Sequence, residues 1–87
     1  MTDSSLPPVT FESFVLSLGT ATLVALGEIE NPMSKKKEKD LASARQHIDI
    51  LEMLQKKTSG NLSPEETNLL NEVLYATRMK FVNHPKS

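Results

Sequence analysis

The sequence predicts an all-α fold centred on an antiparallel helical hairpin. Three observations lead to this prediction. Apolar residues recur at helical spacing in three segments, and no segment of useful length shows the strict alternation of a half-buried strand. In addition, a helix stop signal is followed directly by a helix start signal within residues 57–66. A connection this short returns the chain on itself, so the second and third helices are expected to lie antiparallel.

The hairpin turn combines a helix end and a helix cap. Its predicted residues are Gly60, Asn61, Leu62, Ser63 and Glu66. Gly60 can take the positive φ angle that ends a helix without a steric cost, and Asn61 tolerates turn conformations. Ser63 and Glu66 have the spacing of a capping box, and Leu62 can pack onto the following helix as a hydrophobic staple.

The rest of the chain is divided as follows. Residues 1–9 are predicted to be a disordered leader, residues 10–83 a single helical domain and residues 84–87 a tail. Helices are expected at about 11–26, 41–58 and 64–82, with a polar linker at 28–40. Thr10 and Asp40 are the expected N-caps of the first two helices, because their side-chain oxygens can accept hydrogen bonds from amides of the first turn.

The second and third helices each carry one apolar stripe. The stripe of the second helix contains Leu41, Ala44, Ile48, Leu51 and Leu54. That of the third contains Leu69, Leu70, Val73, Leu74, Ala76, Thr77 and Phe81. One buried face on each helix is sufficient for the two to pack together.

The first helix differs because apolar residues surround it. This pattern is typical of a helix buried on more than one face, and two short partner helices can hardly enclose it. We therefore expect a small helical bundle completed by oligomerisation or by docking into a larger complex. The expected contact surface on the first helix is Phe14, Leu18, Ala21 and Ala25.

Composition restricts the classes of function. A chain of 87 residues buries only about 60% of the surface that its unfolded form exposes, so a lone monomer would be marginally stable. A net charge of −1 gives no overall field for nucleic acid or anionic membranes. The absence of cysteine excludes disulfides and thiolate chemistry.

No catalytic, cofactor or metal site can be assembled from the sequence. The two histidines, His47 and His84, have no second ligand at helical spacing, and a zinc site needs at least three protein ligands. The three glycines are isolated, so no phosphate-binding loop is present. We expect a protein without enzymatic activity, cofactor or metal.

Three charged residues are predicted to form a structural ion pair at the edge of the hairpin. Asp49 follows Arg45 by four residues, a spacing that allows an intrahelical pair. Arg78 flanks the stripe of the third helix and is expected to reach across the hairpin towards Asp49.

The linker contains the main concentration of lysines, namely Lys35, Lys36, Lys37 and Lys39. These side chains give an alternative function, a nucleic-acid or ribosome-associated accessory factor, because lysines neutralise phosphates. The simpler interpretation, which we favour, is a solvated linker. No aromatic residues alternate with the lysines to stack on bases.

The expected location is the cytoplasm. Residues 1–8 contain Asp3 and no Lys or Arg, so they lack the positive region of a secretory signal. The most apolar run, residues 14–26, is shorter than the roughly 20 residues that span a bilayer.

Taken in order, the residues resemble the short bacterial domain-of-unknown-function family 1844. The similar segments are Phe14–Leu18, Ala25–Gly27, Pro32, Ala44–Arg45, Ile48–Asp49, Leu51, Met53–Leu54, Lys57–Thr58, Gly60–Leu62, Glu65–Glu66, Leu69–Leu70, Leu74–Tyr75 and Arg78. The resemblance implies no activity, substrate or catalytic residue. It does imply that Asp49, Arg78 and the turn at 60–62 belong to a shared architecture.

Overall fold

The computed structural model describes residues 8–83 and contains three helices, α1 (Phe11–Ala25), α2 (Leu41–Lys57) and α3 (Pro64–Asn83). Each helix packs against the other two, and the described residues contain no strand beyond isolated bridges. The predicted all-α fold is confirmed. Most of the predicted leader and the whole predicted tail lie outside the described residues.

The first two helices begin at polar caps. The Oγ1 atom of Thr10 accepts a hydrogen bond from the amide of Ser13 at 2.9 Å, and Ser13 Oγ accepts one from the Thr10 amide at 3.0 Å. At α2, a carboxylate oxygen of Asp40 accepts a hydrogen bond from the Ser43 amide at 3.1 Å. This bond holds the pKa of Asp40 below its ordinary value, because it favours the ionised carboxylate.

The turn between α2 and α3 contains the features expected from its sequence. Gly60 has a φ of 86°, and the Asn61 amide donates to the Thr58 carbonyl at 2.9 Å. The amide of Glu66 donates to Ser63 Oγ at 3.1 Å, while Glu66 Oε1 accepts from the Ser63 amide at 2.8 Å. Both halves of the capping box are therefore present, and Leu62 packs against the core.

Helix α1 ends in a Schellman motif centred on Gly27, which has a φ of 77°. The Gly27 amide donates to the carbonyl of Val24 at 3.0 Å, and the Glu28 amide donates to the carbonyl of Leu23 at 2.9 Å. These bonds satisfy carbonyls that the helix itself leaves unpaired.

The linker is more ordered than its polar sequence indicates, because it folds back as a hairpin-like loop. Leu26 forms an antiparallel bridge with Lys39, and the Asp40 amide donates to the carbonyl of Ala25 at 2.7 Å. At the tip, Asn31 Oδ1 accepts a hydrogen bond from the Met33 amide at 2.8 Å, a side-chain turn of the kind that asparagine favours. The start of α2 is therefore held against the end of α1.

The core is small and aliphatic. Its main cluster consists of Val15, Ile48, Leu51, Leu70 and Leu74, and a second cluster consists of Ala25, Leu26 and Ala44. Two threonines are also buried. Thr22 donates its hydroxyl to the Leu18 carbonyl at 2.8 Å, and Thr77 donates to the Val73 carbonyl at 2.8 Å. Their hydroxyls are thus paired within their own helices, as buried polar groups must be.

Helices α1 and α3 lie close together at Gly19. A Cβ atom at this position would lie 2.9 Å from Val73 Cγ1, which is inside van der Waals contact. Glycine removes this clash and lets α3 lie against the α1 backbone.

The Cα atoms span 39 × 32 × 16 Å, and because a helix with its side chains is about 10–12 Å across, the molecule is a thin slab.

Candidate interaction surface

In the described part of the chain, more large apolar side chains are exposed than are fully buried, and others are half-buried. Among residues 8–83, nine are exposed, namely Val9, Phe14, Leu16, Ile29, Met33, Met53, Tyr75, Met79 and Val82. Six are buried, namely Val15, Leu26, Ile48, Leu51, Leu70 and Leu74. Single exposed apolar residues are normal in soluble proteins, so the question is whether they form continuous surfaces.

The contact surface predicted on α1 is only partly available. Ala25 is buried in the cluster that includes Ala44, and Leu18 packs against the main core. Ala21 is half-buried, so Phe14, with 44% of its surface exposed, is the one large apolar side chain of this set that remains open. The prediction was wrong for Ala25, which α2 covers, whereas Leu18 and Ala21 are each half-buried.

An apolar cleft lies between α1 and α3. We call it the α1–α3 cleft; its lining residues are Leu16, Gly19, Thr20, Leu23, Val73, Ala76, Thr77 and Lys80, and its volume is about 180 Å³. Leu16 is 52% exposed at its edge. Ala76, expected in the apolar stripe facing the hairpin, is instead exposed. The cleft exists because small residues line both helices where they meet.

Sequence reasoning missed this cleft. Leu16 and Gly19 are not among the residues predicted to form a contact surface, although an isolated glycine within a helix is a signal of close packing. Their importance depends on how α1 is rotated against α3. Because α1 is apolar on every side, its sequence alone does not specify that rotation.

A second cleft, between α2 and α3, is charged. Arg45 Nε lies 3.4 Å from Asp49 Oδ1. The predicted intrahelical pair is therefore present, at a long distance for a hydrogen bond. Arg78 does cross the hairpin, but it pairs with Glu52 rather than with Asp49, at 2.6 Å from Nη2 and 3.1 Å from Nε to the same Oε2 atom. The predicted pairing partner was wrong: Asp49 lines the same cleft, but the Arg78 guanidinium bonds to Glu52.

The Glu52–Arg78 pair predicts a loss of stability in acid. The hydrogen bond from Arg78 lowers the pKa of Glu52 below its ordinary value of 4.5. A carboxylate whose pKa is lower in the folded state stabilises the protein above its unfolded-state pKa. This contribution is lost as the pH falls through the lower folded-state pKa. We therefore expect the urea midpoint to fall between pH 6 and pH 3, and less steeply in Glu52→Gln.

A matched variant separates this effect from general acid denaturation. Glu30→Gln removes an exposed carboxylate of the linker and is expected to retain the pH dependence of the wild type. Asp40, whose pKa is also lowered, should still contribute pH dependence in Glu52→Gln. Identical pH profiles for the wild type and Glu52→Gln would contradict the assignment.

The lysine groups lie at different ends of the molecule. The four linker lysines are exposed and precede α2, whereas Lys56 and Lys57 are in its last turn. The 17 residues of α2 correspond to about 25 Å at 1.5 Å per residue. The linker also holds four acidic residues, Glu28, Glu30, Glu38 and Asp40, which equal its lysines in number. The lysines do not form one basic surface.

The remaining candidate residues form no chemical site in the part that is described. His47 is half-buried, and its Nδ1 atom is 2.7 Å from the Ser43 carbonyl, to which the protonated nitrogen donates. His84 lies outside the described residues. Within residues 8–83, no three His, Cys, Asp or Glu side chains are grouped as metal ligands would be. None of the helices described is both long enough and apolar enough to span a membrane.

Comparison with known proteins identifies the family. Residues 8–83 match the family described as Domain of unknown function (DUF1844). No curated protein and no solved structure matches the chain. The family match covers all three helices and the turn between α2 and α3, and it confirms the resemblance found in the sequence. The chain therefore belongs to the DUF1844 family.

Proposed function

We propose that this protein is a non-enzymatic helical interaction module that self-associates through apolar side chains of α1 and α3. The observation that carries the proposal is the excess of exposed over buried large apolar side chains in residues 8–83. A domain of this size has a small core, and many such domains gain stability from oligomerisation. A second copy would bury side chains that the three helices leave in water.

The α1–α3 cleft is the surface best suited to this contact. It combines half-exposed Leu16 with Leu23, Val73 and exposed Ala76, and it is open along both helices. Burial of apolar surface stabilises an interface by about 25 cal/mol per Å² before the costs of association. By contrast, the α2–α3 cleft is lined by charged side chains, including the Arg78–Glu52 pair.

Solution mass tests the proposal directly. We expect size-exclusion chromatography with light scattering to show a dimer or larger species that dissociates on dilution. Leu16→Asp should shift this equilibrium to the monomer, because a carboxylate would have to be buried in the interface. The matched control is Met53→Asp on α2, where the native side chain is 45% exposed and lies outside the cleft, and this variant should keep the mass of the wild type.

The outcomes are distinct. A wild-type monomer at every concentration would reject self-association, and the apolar surface would then belong to an interface with a different protein. Dissociation by Met53→Asp but not by Leu16→Asp would keep self-association and move its surface to α2. Circular dichroism of each variant shows whether the helices remain folded.

The alternative function in nucleic-acid binding receives less support. Its binding residues would be the linker lysines, which are exposed. However, equal numbers of acidic residues share that loop, and phosphate binding depends on a net excess of positive charge. We therefore favour the interaction module.

A further inference from the structure

One row of side chains on α3 carries its charges in an order that is complementary to an antiparallel copy of the same row. Glu72, Ala76 and Lys80 are spaced by four residues, so they lie along one side of the helix, and all three are exposed. We call this row the α3 ridge. It runs beside the α1–α3 cleft, which Ala76 and Lys80 also line. On its other side lie Tyr75 and Met79, both exposed.

The charges are placed symmetrically about Ala76. Glu72 lies four residues before it, and Lys80 lies four residues after it. If a second copy of α3 crosses antiparallel at Ala76, each Glu72 faces Lys80 of the other copy, and this contact occurs twice because such a dimer is isologous. A parallel crossing in register would place each glutamate against the other.

These two charged side chains are available for such a contact. Among residues 8–83, Glu72 makes no ion pair or side-chain hydrogen bond. Lys80 is paired with Glu28, but the distance from Nζ to Oε1 is 3.7 Å and both side chains are over one-third exposed. An exposed pair of this kind contributes little, so Lys80 can turn towards a partner without a large loss.

Deepening the self-association proposed above, on which it rests, we infer that two copies form an antiparallel dimer in which the α3 ridges cross at Ala76. The small Ala76 side chain permits the close helix–helix distance, which is about 8–10 Å in packed helices. Helices α1 and α3 of both copies then form a four-helix layer, and Leu16, Leu23 and Val73 of each cleft contact the other copy. The occupant is a second copy of this chain because the charge order of the ridge is its own complement.

Charge reversal tests this geometry. Glu72→Lys and Lys80→Glu each replace two attractive contacts per dimer with two repulsive ones. We expect each variant alone to raise the dimer dissociation constant by roughly tenfold or more, since like charges facing each other across an interface are strongly unfavourable. Mixing the two variants should restore dimers, because the introduced lysine of one variant then faces the introduced glutamate of the other, and the native Lys80 faces the native Glu72. A protein that carries both substitutions should also dimerise without a partner variant, because its introduced lysine then faces the introduced glutamate of the second copy.

Two readouts complete the experiment. Analytical ultracentrifugation of the full chain gives the dissociation constants, and native mass spectrometry shows whether the mixture consists of heterodimers. Lys57→Glu on α2 and Glu30→Lys in the linker reverse one charge each away from the ridge and should leave dimerisation unchanged. Circular dichroism checks that Lys80→Glu, which also faces Glu28, remains helical.

Different results would contradict the antiparallel crossing and self-association itself. If both single variants dimerise as the wild type does, or if mixing and the double variant restore nothing, the antiparallel crossing is overturned. Dissociation of Leu16→Asp would in that case still support self-association through the cleft. A monomeric wild type at every concentration would reject both.

Discussion

Leu51→Ala is expected to lower the free energy of unfolding by roughly 2–5 kcal/mol, the range for leucine truncation in a packed core. Leu51 has no exposed surface and belongs to the main core cluster with residues of α1 and α3. The loss combines the apolar surface no longer buried with a cavity that the small core can only partly close. Since small domains have stabilities near the low end of about 5–15 kcal/mol, this substitution should remove a large part of the free energy of unfolding.

The measurement is urea denaturation followed by circular dichroism at one fixed protein concentration, because self-association would make the midpoint depend on concentration. The control is Met53→Ala, two residues away on the same helix, where the side chain is 45% exposed. It should change stability by less than about 1 kcal/mol. Equal losses in the two variants would mean that α2 does not present Leu51 to the core.

Gly19→Ala is expected to destabilise the protein, although alanine is the better helix former by about 1 kcal/mol. The new Cβ would lie 2.9 Å from Val73 Cγ1, and valine has little rotamer freedom with which to move away in a helix. Overpacking of this kind costs about 1–3 kcal/mol. We expect a net loss of stability, because the clash outweighs the gain in helix propensity.

A double-mutant cycle tests whether the clash is the cause. In a Val73→Ala background the obstructing methyl groups are absent, so Gly19→Ala should become neutral or stabilising, by up to about 1 kcal/mol from propensity alone. This reversal of sign is the expected result in urea denaturation. An equal loss in both backgrounds would show that α1 and α3 do not approach at these residues. As Val73 also lines the proposed interface, all four proteins are compared at a dilution where the monomer predominates.

Local sequence signals were the most reliable predictors of this fold. The ends of the helices are set by interactions between residues three to five positions apart. Examples are the capping box formed by Ser63 and Glu66 and the N-cap formed by Asp40. Such contacts involve neighbours in sequence and require no knowledge of tertiary structure. The linker was predicted less well, because its folding depends on the contact between Asp40 and Ala25 at its two ends.

The candidate site was harder to predict, as two corrections show. Ala25 was assigned to an intermolecular surface but is buried against its own chain, and Arg78 pairs with Glu52 rather than Asp49. Both depend on the rotation and register of one helix against another. A helix that is apolar on all sides, such as α1, does not encode its rotation through a hydrophobic stripe.

The sequence was therefore sufficient to predict the three helices, their caps, the hairpin turn and the membership of the DUF1844 family. Periodicity and capping depend on residues that are close in sequence, and they do not require contacts between distant parts of the chain. Only the packing of the three helices shows which apolar residues remain exposed, where the α1–α3 cleft lies, and that Gly19 lies against Val73. These features depend on contacts between side chains that are far apart in sequence. The surface that each helix exposes is the part that the other two helices do not cover.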